Sequence, residues 1–256
     1  DVDFDFKRVR VGTVSIAPSL KWTGRMGSAF QIGFSYESNS VERTENRFIA
    51  QLPSDSPLFE DQNFVGLNSK YKYEVRDDDA FPTLGMQFQI EAGMLMNTQT
   101  QQGFSYLIPE LGFTHKLVSS GKLVLASRAR AHFNFNNNFE FYQAAVIGDE
   151  TGLRGFRRER FAGRNAFVQS TDLRLNLKKG NAFKPLTTGI FAGFDIGRVW
   201  VDDDLVANPL TDNKDQWNLS YGGGLFFVAY DIFSVNASTF YGADGLRFVF
   251  GLGFEF

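Results

Sequence analysis

The sequence predicts an all-β protein, an antiparallel transmembrane β-barrel, and three observations carry that expectation. The 256 residues are polar on average, with mean hydropathy -0.21 and 21% charged side chains, yet 16% are aromatic and 29 are Phe. Apolar residues recur at alternate positions over stretches long enough to cross a bilayer as strands. No apolar run approaches the roughly 20 residues that a membrane-spanning helix needs. A barrel reconciles the three, because lipid-facing side chains alternate with those of a polar lumen. The aromatic content excludes intrinsic disorder. With 26 basic and 29 acidic residues the net charge is -3, which excludes the basic footprint of a nucleic-acid partner. Cys is absent, so disulfides, thiol catalysis and thiolate metal sites are excluded. His115 and His132 alone cannot build a His-rich metal centre, and no cofactor is expected. The chain opens Asp1-Val2-Asp3-Phe4 without a signal peptide, as expected of a processed product or a fragment.

Taken in order, eleven candidate strands fall near 7–22, 28–40, 62–76, 83–98, 103–117, 122–135, 166–178, 187–201, 215–229, 231–242 and 245–256. In the fourth, Met86, Phe88, Ile90, Ala92, Met94 and Met96 share one face, opposite Gln87, Gln89, Glu91 and Asn97. The sixth sets Leu123, Leu125, Ala129, Ala131, Phe133 and Phe135 against Arg128, Arg130, His132 and Asn134. In the last, Leu246, Phe248, Phe250, Leu252, Phe254 and Phe256 oppose Arg247, Gly251, Gly253 and Glu255. Helical spacing would scatter these sets around a cylinder, whereas strands keep them apart. Trp22, Trp200, Trp217 and Tyr221 lie near strand ends, where interfacial girdles belong. A soluble β-sandwich would have shorter strands and more Pro-marked turns.

Connection lengths set the expected orientation. The long links 41–61, 136–165 and 202–214 follow even-numbered strands and therefore share one side, which in bacterial barrels is extracellular. The first strand would then begin outside and the last residue would lie at the periplasmic rim. Complete single-chain barrels have even strand numbers and periplasmic termini. The odd count predicts missing strands before Asp1; a complete barrel of about twelve strands is the alternative.

One local segment stands out. Gly152-Leu153-Arg154-Gly155-Phe156 lies inside link 136–165 and is followed by Arg157, Arg158, Arg160 and Arg164. Alone it reads as a solvated basic loop. Asp172 and Asp195, however, fall on the polar faces of the next two strands, so the three together form a candidate ion-pair network. At this point the chain resembles the outer-membrane assembly superfamily, the BamA/TamA and bacterial surface antigen barrels. Leu153-Arg154-Gly155-Phe156 is similar to the family's (V/L/I)-R-G-(F/Y) motif in loop six. Asp195-Ile196-Gly197-Arg198-Val199-Trp200 is similar to its D-x-G-x-V-W signature, and Asp172 takes the position of the inward acid between them. Gly251, Phe254 and Phe256 match the family's C-terminal strand signal, with Val249 standing where a polar residue is usual.

The resemblance implies a sixteen-stranded barrel of which this chain supplies the C-terminal part, without the first five strands and any periplasmic domain. Arg154 would sit at the tip of a lumen-folded loop, held by Asp172 and Asp195. The implied function is non-covalent insertion or translocation of unfolded barrel or secreted proteins at the outer membrane of a Gram-negative bacterium. The partners would be lipid, the client, possible accessory lipoproteins and the missing N-terminal strands. In that mechanism a weakly paired last strand, 246–256, offers its free edge to an incoming strand. Gly222, Gly223, Gly224, Gly251 and Gly253 would ease deformation near the seam, or simply allow close packing in a curved wall. Other readings stay open. The barrel could tether an upstream enzyme such as a patatin-like lipase or a metallophosphoesterase. A complete smaller barrel could be a lipase using the inward His132, or a passive pore. No G-x-S-x-G elbow accompanies His132, and a lumen plugged by 136–165 argues against a pore. The triplets Asp77-Asp78-Asp79 and Asp202-Asp203-Asp204 lack a Gly-spaced calcium loop and read as solvated turns.

Overall fold

A computed structural model describes residues 9–178, 186–201, 216–230 and 232–253. Its strands are β1 (Arg10–Ile16), β2 (Ser19–Thr23), β3 (Ser28–Glu42), β4 (Gln62–Arg76), β5 (Gly85–Asn97), β6 (Gly103–Lys116) and β7 (Leu123–Phe135). They continue with β8 (Ala145–Ile147), β9 (Phe161–Gly163), β10 (Asn165–Lys178), β11 (Leu186–Trp200), β12 (Asn218–Ala229), β13 (Phe233–Gly242) and β14 (Gly245–Leu252). All but β8 and β9 join one antiparallel sheet in the order β1-β3-β4-β5-β6-β7-β10-β11-β12-β13-β14, with β2 also on β3. Among the described residues no helix is long and apolar enough to cross a membrane.

The strand expected over 7–22 is interrupted. Pro18 has no N–H to donate, so the ladder lapses between β1 and β2. Register nevertheless carries across the break: Ile16 pairs with Tyr36 and Ser19 with Gly33, while the Phe34 amide donates to the Pro18 carbonyl at 3.0 Å. β1 and β2 thus trace one kinked path, and the sheet has the eleven positions that alternation predicts. Pro109 has a similar effect inside β6, where the ladder to β7 skips from Leu107–Phe133 to Glu110–Arg130.

The faces separate by parity as expected. Met86, Met94, Phe133, Phe194, Leu225, Phe227, Phe248 and Phe250 point outward, the last two being 70% and 79% exposed. Such a belt of apolar side chains is stable only against lipid. At the rims, Trp22 stacks on Phe30 at 6.0 Å, and Trp200 meets Trp217 edge-on at 6.3 Å. The opposite face carries Glu110, Asn134, Ser170, Asp172, Arg174, Asp195 and Ser220, all buried. Among the described residues β14 pairs with β13 alone and shares no ladder with β1 or β2, so the sheet is an open, barrel-like wall.

Among the described residues, two connections pack on the inner side. Link 136–165 folds inward, and its hairpin β8–β9 joins Leu153, Phe156 and Phe161 in a buried cluster with wall residues Ala166, Val168 and Val199. From the other end, turn 77–84 also enters. Phe81 stacks on Phe226 of β12 at 5.0 Å, within a cluster containing Val124, Phe191, Val228 and Phe240. The acids at its start shape this turn. Asp78 accepts from the amides of Ala80 and Phe81, each at 2.8 Å. Asp77 accepts from the amides of Thr83 and Leu84 and from the Thr83 hydroxyl. The first acidic triplet is therefore a turn as expected, but two of its carboxylates are engaged by backbone rather than left to solvent. The second, Asp202 to Asp204, lies outside the described residues.

Candidate functional site

The loop's tip is built by local backbone chemistry. The Leu153 amide donates to the Gly148 carbonyl at 2.8 Å and the Phe156 amide to the Leu153 carbonyl at 3.1 Å, closing a tight turn. Gly152 reverses the chain with φ at +110°, a conformation that L side chains seldom adopt. Ser170 on β10 donates its hydroxyl to the Gly152 carbonyl at 2.6 Å, and Arg128 on β7 reaches the Thr151 carbonyl at 3.3 Å. Leu153 and Phe156 are buried on the wall, so the intervening Arg154 is aimed at β10 and β11.

Arg154 meets both acids. Its Nη2 donates to Asp195 Oδ1 at 2.5 Å and to Asp172 Oδ1 at 2.8 Å, and its Nε lies 3.1 and 3.2 Å from the two Asp195 oxygens. The Arg154 amide also donates to Asp195 Oδ2 at 3.0 Å, so one carboxylate fixes side chain and backbone together. Asp195 is fully buried and accepts a further bond from Ser220 at 2.8 Å. Burial alone would lower the Arg154 pKa; Asp172 and Asp195 outweigh it and raise it above the ordinary arginine value, so the guanidinium stays charged.

Register explains why the acids converge. Asp172 pairs with Gly193 on β11 and Asp195 pairs with Ser220 on β12, which places the carboxylates on neighbouring strands of one face. A Cβ at Gly193 would lie 2.7 Å from Arg154 Nη2, so the absent side chain leaves room for the guanidinium. Arg174, two residues beyond Asp172 on the same face, places its Nη2 3.5 Å from Asp172 Oδ2. Two arginines then balance two aspartates, which limits the cost of burying the set. The Arg154 guanidinium also stands 4.0 Å above the Phe240 ring of β13, a cation–π contact.

Arg174, Ser220, Gly193 and Phe240 were not expected from the sequence. The signal existed for Arg174, which shares parity with Asp172; Ser220 and Phe240 require the register between strands. Of the remaining expected residues, Gly197 faces inward beneath Ile147, whose Cδ1 would lie 2.9 Å from an added Cβ. The Trp200 carbonyl accepts from the Arg164 amide at 2.8 Å where the loop rejoins the wall. Gly251 lies opposite Asn236 on β13. Phe254 and Phe256 lie outside the described residues. His132 Nε2 lies 3.1 Å from Asn134 Oδ1, an amide rather than the carboxylate of a hydrolytic relay. Among the described residues no group of His, Cys, Asp and Glu is arranged to hold a metal ion.

A cavity of about 310 Å³ opens beside the network, lined by Arg154, Asp172, Arg174, Asn236, Val249 and Gly251. Its lining comes from the loop tip, the wall strands and the last hairpin together.

An open antiparallel wall with lipid-facing parity and an inward loop gripped by its own acids defines a class of membrane barrel. Residues 2–229 match the family model described as Omp85 superfamily domain, and the chain belongs to that superfamily. Among solved structures it is similar to BamA from Haemophilus ducreyi lacking POTRA domains 1-3, with a TM-score of 0.72 and 14% identity over 95% of this chain and 55% of that one. It is also similar to CdiB from Escherichia coli, with a TM-score of 0.64 and 12% identity over 94% of this chain and 45% of that one. The chain therefore spans about half the length of these structures. No curated protein matches the sequence.

Proposed function

We propose that this chain is the C-terminal part of an outer-membrane assembly barrel, which inserts or translocates unfolded β-rich clients in a Gram-negative bacterium. The single observation that carries the proposal is Arg154, held by Asp172 and Asp195 from the tip of a loop folded inside an open antiparallel wall. In this reading the loop does no covalent chemistry. Its bonds fix one piece of backbone against β10, β11 and β12, so the wall next to the seam has a defined shape.

β14 ends the sheet with a row of backbone donors and acceptors that no described residue pairs. A client strand entering beside it would gain ladder hydrogen bonds while its apolar side chains reach lipid. Strands preceding this segment would close the barrel on the same edge, so client and barrel compete for β14. Outer-membrane lipid covers the outward face, and accessory lipoproteins would act from the periplasmic side.

The test uses the full-length protein in liposomes and an unfolded outer-membrane barrel as client. Folding is followed by heat-modifiable gel migration. Acceleration by the wild type and its loss with Arg154→Ala support the proposal. Client folding at the rate of empty liposomes, with the barrel itself intact, would overturn it.

A further inference from the structure

We infer that loop 136–165 is also a clamp on the last hairpin, with Arg160 and Asp149 as positioning residues for β14. The motif around Arg154 ties the loop to β10 and β11 and touches β13 at Phe240 and Gly242; two ion pairs outside the motif tie it to the hairpin tip and to β14. β13 and β14 are joined by only Ala243 and Asp244, since Gly242 pairs with Gly245. Arg160 Nε lies 3.1 and 2.9 Å from the two Asp244 oxygens, and these side chains are only 12% and 17% exposed. The Arg160 guanidinium is braced over the Phe161 ring at 5.0 Å. At the other flank of the loop tip, Asp149 Oδ2 lies 3.6 Å from Nη2 of Arg247, the third residue of β14. Between them the two backbones touch: a Cβ on Gly155 would sit 3.0 Å from the Gly242 nitrogen, and one on Gly242 only 2.8 Å from the Gly155 carbonyl oxygen.

The arrangement matters because little else fixes β14. Among the described residues it has one ladder partner, and its outward row of Leu246, Phe248, Phe250 and Leu252 is exposed. On its inner side, Val249 packs against the cluster containing Phe240. The Arg160 and Asp149 pairs grip the hairpin at its tip and at the start of its final strand. Exposed ion pairs contribute little, but Arg160 and Asp244 are mostly shielded, and Arg154 already immobilises the arm that carries Arg160. Arg160 falls outside the Leu153–Phe156 motif, in a run whose sequence reads as a solvated basic segment.

The consequence for clients rests on the assembly function proposed above: releasing the clamp loosens the strand whose edge clients would use. The clamp itself does not depend on that function. The experiment therefore measures both, on the full-length protein in nanodiscs, by amide hydrogen exchange over 246–252 and by client folding. Arg160→Asp, Asp244→Arg and the double charge swap are compared, with Asp244→Asn as a milder variant and gel migration confirming a folded barrel.

Each single reversal is expected to speed exchange in β14 about tenfold, equivalent to about 1.4 kcal/mol. The double swap should restore it to within about twofold of wild type. Exchange over 152–156 should stay unchanged, because the Arg154 bonds are intact. Unchanged β14 exchange in both single variants would overturn the clamp, as would a double variant with no recovery. If exchange responds and recovers while every form, wild type included, leaves client folding at the protein-free rate, the clamp stands and the assembly function fails. If client folding falls while β14 exchange is unmoved, the clamp fails and the assembly function stands.

Discussion

Replacing Arg154 with Ala removes a cation shared by Asp172 and Asp195. Asp195 is fully buried and would keep Ser220 and the position-154 backbone amide as donors among the described residues, while Asp172 would retain Arg174. Breaking a buried ion pair by deleting one partner costs about 3–5 kcal/mol, because the remaining charge is stranded. Each 1.4 kcal/mol is a factor of ten, so opening of the loop should become about two to three and a half orders of magnitude more frequent. The wall ladders do not involve Arg154, so the effect should be confined to the loop. Amide exchange resolves this: protection should collapse over 145–163 and persist over the ladder between β10 and β11. Arg154→Lys separates charge from geometry. An ammonium cannot reproduce the fork that engages Asp195 through Nε and Nη2, so Lys should recover only part of the protection. Loop exchange within about twofold of wild type in Arg154→Ala would refute the reasoning, since a loop held elsewhere does not need this side chain.

Further outcomes follow from other parts of the wall. Phe81→Ala empties the stack on Phe226 and should cost about 3–5 kcal/mol of the inward packing of turn 77–84, read as lost exchange protection there. Burial alone would raise the Asp77 carboxyl; bonds from the Thr83 hydroxyl and the Leu84 and Thr83 amides, with Lys116 nearby, outweigh it and hold the pKa below the ordinary aspartate value. That stabilisation is complete above the unfolded value and is lost as pH falls through the lowered one, so the turn should loosen on acidification below the ordinary aspartate range, and Asp77→Asn should remove the dependence. Phe194→Arg puts a charge on the outward face next to Asp195 and should cost about 2–4 kcal/mol in folding titrations into lipid if it lies near the bilayer midplane. A negligible cost would place Phe194 away from lipid.

Much of the wall was legible in the sequence because one physical rule governs it. Alternation is imposed separately by lipid on one face and by the packed lumen on the other, so Phe248, Phe250, Asp172 and Asp195 all announce their sides. What alternation cannot carry is anything decided between distant segments. β8 and β9 have three residues each, too few to show a period, and they form only because the loop is pressed on the wall. Phe81 is a single aromatic beside Pro82 after an acidic run; nothing local says that it crosses the interior to β12. Pro18 marked a break in hydrogen bonding but not in register, which only the pairing with β3 reveals. At the site, parity placed both acids and the family motif placed Arg154, whereas Ser220 and Phe240 depended on registers fixed by the whole sheet.

The most direct test of the inward loop introduces two thiols into these 256 residues, which contain no Cys, with any Cys in the rest of the protein replaced by Ser. A Cβ at position 152 would stand 3.6 Å from that of Ser170 on β10, within the roughly 3.5–4.5 Å that a disulfide spans. In the full-length protein in native outer membranes, Gly152→Cys with Ser170→Cys should oxidise to an intramolecular disulfide, despite some strain from the positive φ at 152. Both thiols should also resist a bulky membrane-impermeant maleimide before oxidation. Free labelling of residue 152 from outside, with no crosslink to residue 170, would contradict a loop held in the lumen.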